Sequence, residues 1–112
     1  MGRKAQPEPV LLGPLEEQVM LAVLRTAGDA YGMHVRRELE TVTGRDFAIG
    51  AVYATLDRLE AKGLVASSRT AASAGAPSRR VFDVTPHGAR SLEHTRAMRD
   101  RLWTGVKLAT RS

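Results

Sequence analysis

Phe47-Ala48-Ile49-Gly50-Ala51-Val52-Tyr53-Ala54-Thr55-Leu56-Asp57-Arg58-Leu59-Glu60-Ala61-Lys62-Gly63-Leu64-Val65 decides the reading of this chain. Ile49, Val52, Leu56 and Leu59 recur at three- and four-residue steps, the spacing of one helix face. The pattern predicts a helix over residues 49–62, closed by Gly63. Tyr53, Thr55, Arg58 and Lys62 cannot all share the apolar stripe, so several must face outward. The result is a short amphipathic helix with a polar and cationic outer surface.

Two more helices precede it. Residues 15–27 carry Leu15, Val19, Ala22 and Val23 at helical spacing, with Met20 and Leu24 widening the stripe. Pro14 suits the start, Glu16 and Glu17 complement the positive end of the helix dipole, and Gly28 is a natural stop. Residues 31–42 align Val35, Leu39 and Val42, and Gly44 ends that run. Three short amphipathic helices, two tight turns and a polar face on the third make the helix-turn-helix layout.

Beyond Gly63 the pattern changes. Residues 64–69 and 80–85 read as two strands, the second (Arg-Val-Phe-Asp-Val-Thr) rich in β-formers. Between them Ser73, Gly75, Pro77 and Ser78 form a flexible tip that ends in Arg79 and Arg80. A hairpin with a basic tip after three helices is a wing. Thr85 and Pro86 then fit the N-cap and first position of a last helix. Its stripe of Leu92, Thr95, Met98 (or Arg99), Leu102, Val106 and Ala109 is too thin for a core helix and suited to a seam with another helix. Continued to residue 109, it would span ~36 Å.

The expected fold is thus mainly α with a small β-hairpin: a flexible arm at residues 1–10, a winged helix-turn-helix domain at 11–85 and a long C-terminal dimerisation helix at 86–112. Charge is placed to match. Residues 1–78 hold nine Lys/Arg and nine Asp/Glu, while residues 79–112 hold eight Lys/Arg and three Asp/Glu, so the net +5 of this 112-residue chain lies at its end. A basic end suits a polyanion, because each neutralised phosphate releases condensed counterions. There is no cysteine, which excludes disulfides and thiolate metal sites and fits a reducing compartment. No apolar run approaches the ~20 residues that span a bilayer, and the first ten residues do not read as a signal peptide. The expected location is the cytoplasm, with no membrane partner.

The order of these segments resembles the PadR family of bacterial transcriptional regulators in its short form. The resemblance rests on Leu12-Gly13-Pro14-Leu15-Glu16, Ala30-Tyr31-Gly32, the long stretch 47–65, Val84-Thr85-Pro86-His87-Gly88, and Leu102-Trp103-Thr104-Gly105-Val106. It covers roughly residues 11–109, and the long central stretch is its specific part. The resemblance implies a winged helix-turn-helix with a C-terminal helix that pairs two subunits, and a repressor that binds double-stranded DNA at an operator with dyad symmetry. Some short members also bind planar hydrophobic compounds at the dimer interface, so a small-molecule effector is a further expected partner. Two positions differ from many relatives. Ala48 stands where a Ser or Thr often caps the third helix, unless Asp46 takes that role, and Gly75 is separated from Arg79 and Arg80 by Ala76, Pro77 and Ser78.

In a helix-turn-helix the N-terminal part of the recognition helix reaches the bases. Here that part is Ala48, Gly50, Ala51, Tyr53, Ala54 and Thr55. Small residues let the helix sit deep, and alanine methyls can touch thymine methyls. Tyr53 fits two roles equally, a donor to DNA or a half-buried aromatic closing the core. Arg58 and Lys62 are expected at phosphates, and Arg69, Arg79 and Arg80 at the backbone or minor groove. Tyr31 reads as structural. The expected dimer interface is Leu92, Met98, Leu102, Trp103 and Val106, with Trp103 a packing anchor. His34, His87 and His94 have no carboxylate at ligand spacing, and no nucleophile–base pair can be nominated, so neither metal, cofactor nor catalysis is expected. Two rival readings remain: an effector-binding sensor with its pocket at the dimer interface, and a winged-helix module for protein contact. Arg58 and Lys62 speak against the second.

Overall fold

A computed structural model of the chain describes residues 6–109. Its elements run α1 (Pro14–Arg25), α2 (Gly32–Thr43), α3 (Ile49–Ala61), β1 (Val65–Arg69), β2 (Arg80–Val84) and α4 (Pro86–Trp103). Helix α1 starts on Pro14, and the Glu16 carboxylate accepts from the Gly13 N–H at 3.1 Å, half of a capping box. Val19, Met20, Ala22 and Val23 are its buried face. Helix α2 ends where Gly44 takes a left-handed conformation, φ 70°, and donates to the Glu40 carbonyl at 2.9 Å.

Helix α3 buries Val52, Leu56 and Leu59 completely. It closes in a Schellman arrangement: Gly63 (φ 74°) donates to the Glu60 carbonyl and Leu64 to that of Leu59, both at 2.9 Å. This turn throws the chain straight into β1. The two strands pair antiparallel with Val65 opposite Val84 and Arg69 opposite Arg80. A third segment joins the hairpin, for Tyr31 bridges Val81 and Phe82 donates to the Ala30 carbonyl at 2.9 Å. Thus the start of α2 is stitched to the wing. Phe82, 1% exposed, carries the hairpin into the core formed by Val19, Met20, Val23, Val35, Leu39, Val52, Leu56, Leu59 and Leu64.

Helix α4 begins on Thr85, whose hydroxyl accepts from the Gly88 N–H at 3.0 Å and donates to the Gly63 carbonyl at 2.7 Å. Gly88 is fixed by space: a Cβ there would lie 2.1 Å from the Leu64 carbonyl oxygen. Ser91, Leu92 and Thr95 are buried against the domain. The Ser91 and Thr95 hydroxyls accept from the N–H groups of Val10 and Leu12, both at 3.0 Å.

Two expectations are corrected. The last helix does not reach residue 109. It ends at Trp103 after 18 residues, because Thr104 leaves helical geometry and Gly105 turns to φ 78°. Val106 therefore lies beyond the helix, and residues 110–112 of the expected span fall outside the described residues. The expected arm is not loose up to residue 10, since Val10 is bonded to α4 and Arg90 donates to the Pro7 carbonyl at 3.4 Å. Residues 1–5 of that arm lie outside the described residues.

Candidate nucleic-acid interface

The first two turns of α3 expose Ala48, Gly50, Ala51 and Ala54. No side chain caps the helix. Asp46 does not supply the missing oxygen, and the nearby Glu40 carboxylate instead accepts from the Phe47 N–H at 2.9 Å, one residue before the N-cap. A narrow, small-residue ridge with unoccupied N–H groups at its tip is what remains on the surface.

Beside this ridge, Tyr31, Tyr53, Arg69, Arg79 and Arg80 line an open groove of about 410 Å³ between the start of α3 and the wing. Tyr53 is divided between the domain and the surface. One side of its ring presses on Gly32, where a Cβ would come within 2.2 Å of Cζ, and 36% of the residue is exposed toward the groove. The Arg79 guanidinium stacks on the Tyr31 ring at 4.2 Å. Arg37 donates to the Tyr31 hydroxyl at 2.8 Å. Among the described residues neither Arg69 nor Arg79 pairs with a carboxylate. Their charges are available to an anion.

Three of the expected DNA contacts are otherwise engaged. Thr55 is 1% exposed, and its hydroxyl donates to the Ala51 carbonyl at 2.8 Å, so it cannot reach a base. It sits three residues after Val52 and four before Leu59, on the buried stripe. Lys62 is bound to Glu16 of α1 at 2.7 Å. Burial works to raise the Glu16 carboxyl, but hydrogen bonds from Lys62 and the Gly13 N–H, with the Lys62 and Arg58 charges, hold it below the ordinary glutamate value. Arg80 is paired with Asp57 at 3.0 Å and Glu60 at 2.6 Å, and it lies 4.7 Å over the Phe82 ring. Two adjacent arginines at the hairpin end therefore have different surroundings. Arg58 stays exposed and donates to the Thr55 hydroxyl at 3.4 Å.

At the far end of the molecule Leu102, Trp103 and Val106 are 70%, 59% and 50% exposed, and Met98 is half-buried. Leu92 differs from them. It belongs to the chain's own core at 8% exposure, because α4 packs on the domain for its first three turns. Sequence reasoning passed over Gly32, Asp57 and Glu60. Gly32 stands in the Tyr-Gly pair of the resemblance, and its role is to admit the Tyr53 ring. The acidic pair left no signal, since its partner Arg80 lies about twenty residues away in the chain.

The family model for the PadR-like transcriptional regulators matches residues 20–94. The chain belongs to this family, whose members regulate transcription by binding DNA. No curated protein matches it. Among solved structures it is similar to a PadR family regulator from Eggerthella lenta, with 27% identity over 81% of this chain and 82% of that one, TM-score 0.63. It is similar in fold to a PadR-like transcription factor from Bacteroides fragilis (24% identity, 79% and 82% covered, TM-score 0.67). A PadR-like regulator from Bacillus cereus gives 21% identity, 80% and 84% coverage and TM-score 0.67. The winged helix-turn-helix with its C-terminal helix is thus the fold of the family. Among the described residues no helix is long and apolar enough to cross a membrane.

Proposed function

We propose that this chain is a homodimeric repressor of a nearby operon, which seats one α3 from each subunit in the major groove of an operator with dyad symmetry. The observation that carries this reading is the exposed ridge of Ala48, Gly50, Ala51 and Ala54 beside a groove lined by three arginines and two tyrosines. The ridge is slim enough to enter the groove and offers methyl groups to thymine. Arg69 and Arg79, with Arg58 on the helix, take the phosphates on either side. Few polar side chains face the bases, so operator choice draws on DNA shape and on the fixed distance between two half-sites.

The dimer is supported by the end of α4. A chain of this length packs to a radius of gyration of ~13 Å when compact. This one measures 16.9 Å, and the end of α4 carries exposed Leu102 and Trp103. A second copy of the same helix end covers them. Footprinting on the gene's own upstream region tests the whole reading. The expected result is one protected stretch holding two half-sites about one helical turn, or a multiple of it, apart. An upstream duplex that the protein neither protects nor shifts at low salt sinks it.

A further inference from the structure

Glu60 points outward from the third turn of α3, beside a surface read above as facing DNA, where a carboxylate repels phosphate. Its contacts explain why it is there. One carboxylate oxygen accepts from both the N–H (3.2 Å) and the hydroxyl (2.7 Å) of Ser67 in β1. The other accepts from Arg80 in β2 at 2.6 Å. Ser67 stands opposite Phe82 in the register, and Phe82 directs its own N–H away from β1 to Ala30. The Ser67 N–H thus lies on the open edge of the hairpin, where Glu60 closes it. Asp57, one turn earlier on α3, pairs with the same Arg80 nitrogen, Nη2, at 3.0 Å. A single side chain of the recognition helix therefore holds both strands of the wing. The hydrogen bonds from Ser67 and Arg80 keep its carboxyl below the ordinary glutamate range, so the clamp is ionised at neutral pH.

We infer that Glu60 and Arg80 form a clamp that sets the distance and angle between the recognition helix and the wing, and that Arg80 is a positioning residue rather than a phosphate contact. The inference rests on the DNA-facing assignment of α3 and the wing, and it divides the wing's arginines. Arg79 and Arg69 touch the backbone, while Arg80 holds the hairpin that presents them. Removing Glu60 then has the opposite sign from simple electrostatics. Deleting a negative charge beside DNA should tighten binding, whereas opening the clamp weakens it.

The test uses the full chain, with Glu60→Ala, Glu60→Gln and Arg80→Ala compared by fluorescence anisotropy on a labelled duplex from the gene's upstream region, over a range of salt. Glu60→Ala and Arg80→Ala should each bind about tenfold more weakly, with the salt slope of the parent. The double variant should be no weaker than either single one, because the two residues act as one unit. Glu60→Gln, which keeps an oxygen for Ser67, should fall between Glu60→Ala and the parent. Arg79→Ala is the contrast, lowering the slope by about 0.9. A second readout needs no DNA. The Thr70 N–H donates to the Arg79 carbonyl at 2.8 Å and touches neither clamp residue. Its hydrogen exchange should quicken in Glu60→Ala and Arg80→Ala alike. Binding by Glu60→Ala as tight as the parent's or tighter, a slope lowered in Arg80→Ala, or unchanged Thr70 exchange in both variants overturns the clamp. A parent chain that binds no duplex overturns the DNA-facing assignment instead, and Thr70 exchange still judges the clamp.

Discussion

The wing end of the molecule and the far end of α4 treat their side chains in opposite ways. Around the wing, aromatic rings and charges find partners within the chain: Phe82 is sealed in the core, Tyr53 rests on Gly32, Tyr31 is flanked by Arg37 and Arg79, and Arg80 is held by two carboxylates. At and beyond the end of α4, Leu102, Trp103, Val106 and Leu108 stand at least half exposed among the described residues. The first region is a finished surface whose remaining free cations suit a polyanion. The second is the exposed apolar end that the proposed dimer would cover. On the proposed reading, the first region belongs to the single chain, while the second is completed by another copy.

The most damaging way to break this contrast is at the unfinished end. Leu102→Asp with Trp103→Asp should leave the melting transition of the domain nearly intact, since neither residue joins the core cluster. The same pair should abolish the dimer in sedimentation equilibrium and lower operator affinity at least ~100-fold, because two half-sites then bind independently. A variant that stays dimeric shows that the seam lies elsewhere on α1 or α4.

The finished region answers to space rather than to partners. Gly88→Ala should destabilise the fold by about 1–3 kcal/mol, since its Cβ would meet a backbone oxygen that cannot move without shifting the turn from α3 into β1. Thermal melts of the monomeric double variant above are the clean background for this measurement. A melting point within experimental error of that background shows that α4 can ride up off Leu64 at no cost.

How far the sequence could be read follows the same division. Helix α3 and the hairpin were legible because local signals agreed: the 49-52-56-59 stripe, Gly63 as the stop and alternating β-formers after it. The stop at Gly105 was equally visible, in the form already used for Gly28, Gly44 and Gly63, but the repeat of Leu102 and Val106 suggested continuation. Thr55 was misplaced by its polarity, although its spacing from Val52 and Leu59 put it on the buried stripe. Its hydroxyl is satisfied within its own helix, which lets a threonine lie in an apolar core. The pairing of Arg80 with Asp57 and Glu60 was illegible, since it exists only once the hairpin folds back on the helix. Adjacent arginines with opposite roles cannot be told apart by spacing.

Within the finished region, the free cations should behave unlike the bound ones. Arg69→Ala with Arg79→Ala should weaken binding to any duplex by a similar factor and lower the salt slope by about 1.8, two phosphates' worth. Lys62→Ala should leave the slope unchanged, because Lys62 is held by Glu16 on the opposite edge of α3. A lowered slope in Lys62→Ala would mean that the Glu16 pair opens on DNA, and the line between free and bound cations would need redrawing.

The smallest expected effect concerns acid. Glu16 and Glu60 both titrate below the ordinary value of 4.5 in the folded chain. A carboxyl depressed on folding adds stability that is fully present above its unfolded value and is lost as pH falls through its folded one. These two groups therefore leave the melting temperature flat between neutral pH and about 5.5, and lower it progressively below 4.5. The pairs are partly exposed, so salt and solvent screening keep the loss modest. Glu16 joins α1 to the end of α3, two helices of the domain core, whereas Glu60 joins α3 to the wing. Glu16→Gln should therefore flatten the acid limb of the global melt more than Glu60→Gln does. A global melt more sensitive to Glu60 would mean that the wing folds as one unit with the helices, and that the clamp contributes to stability as well as to position.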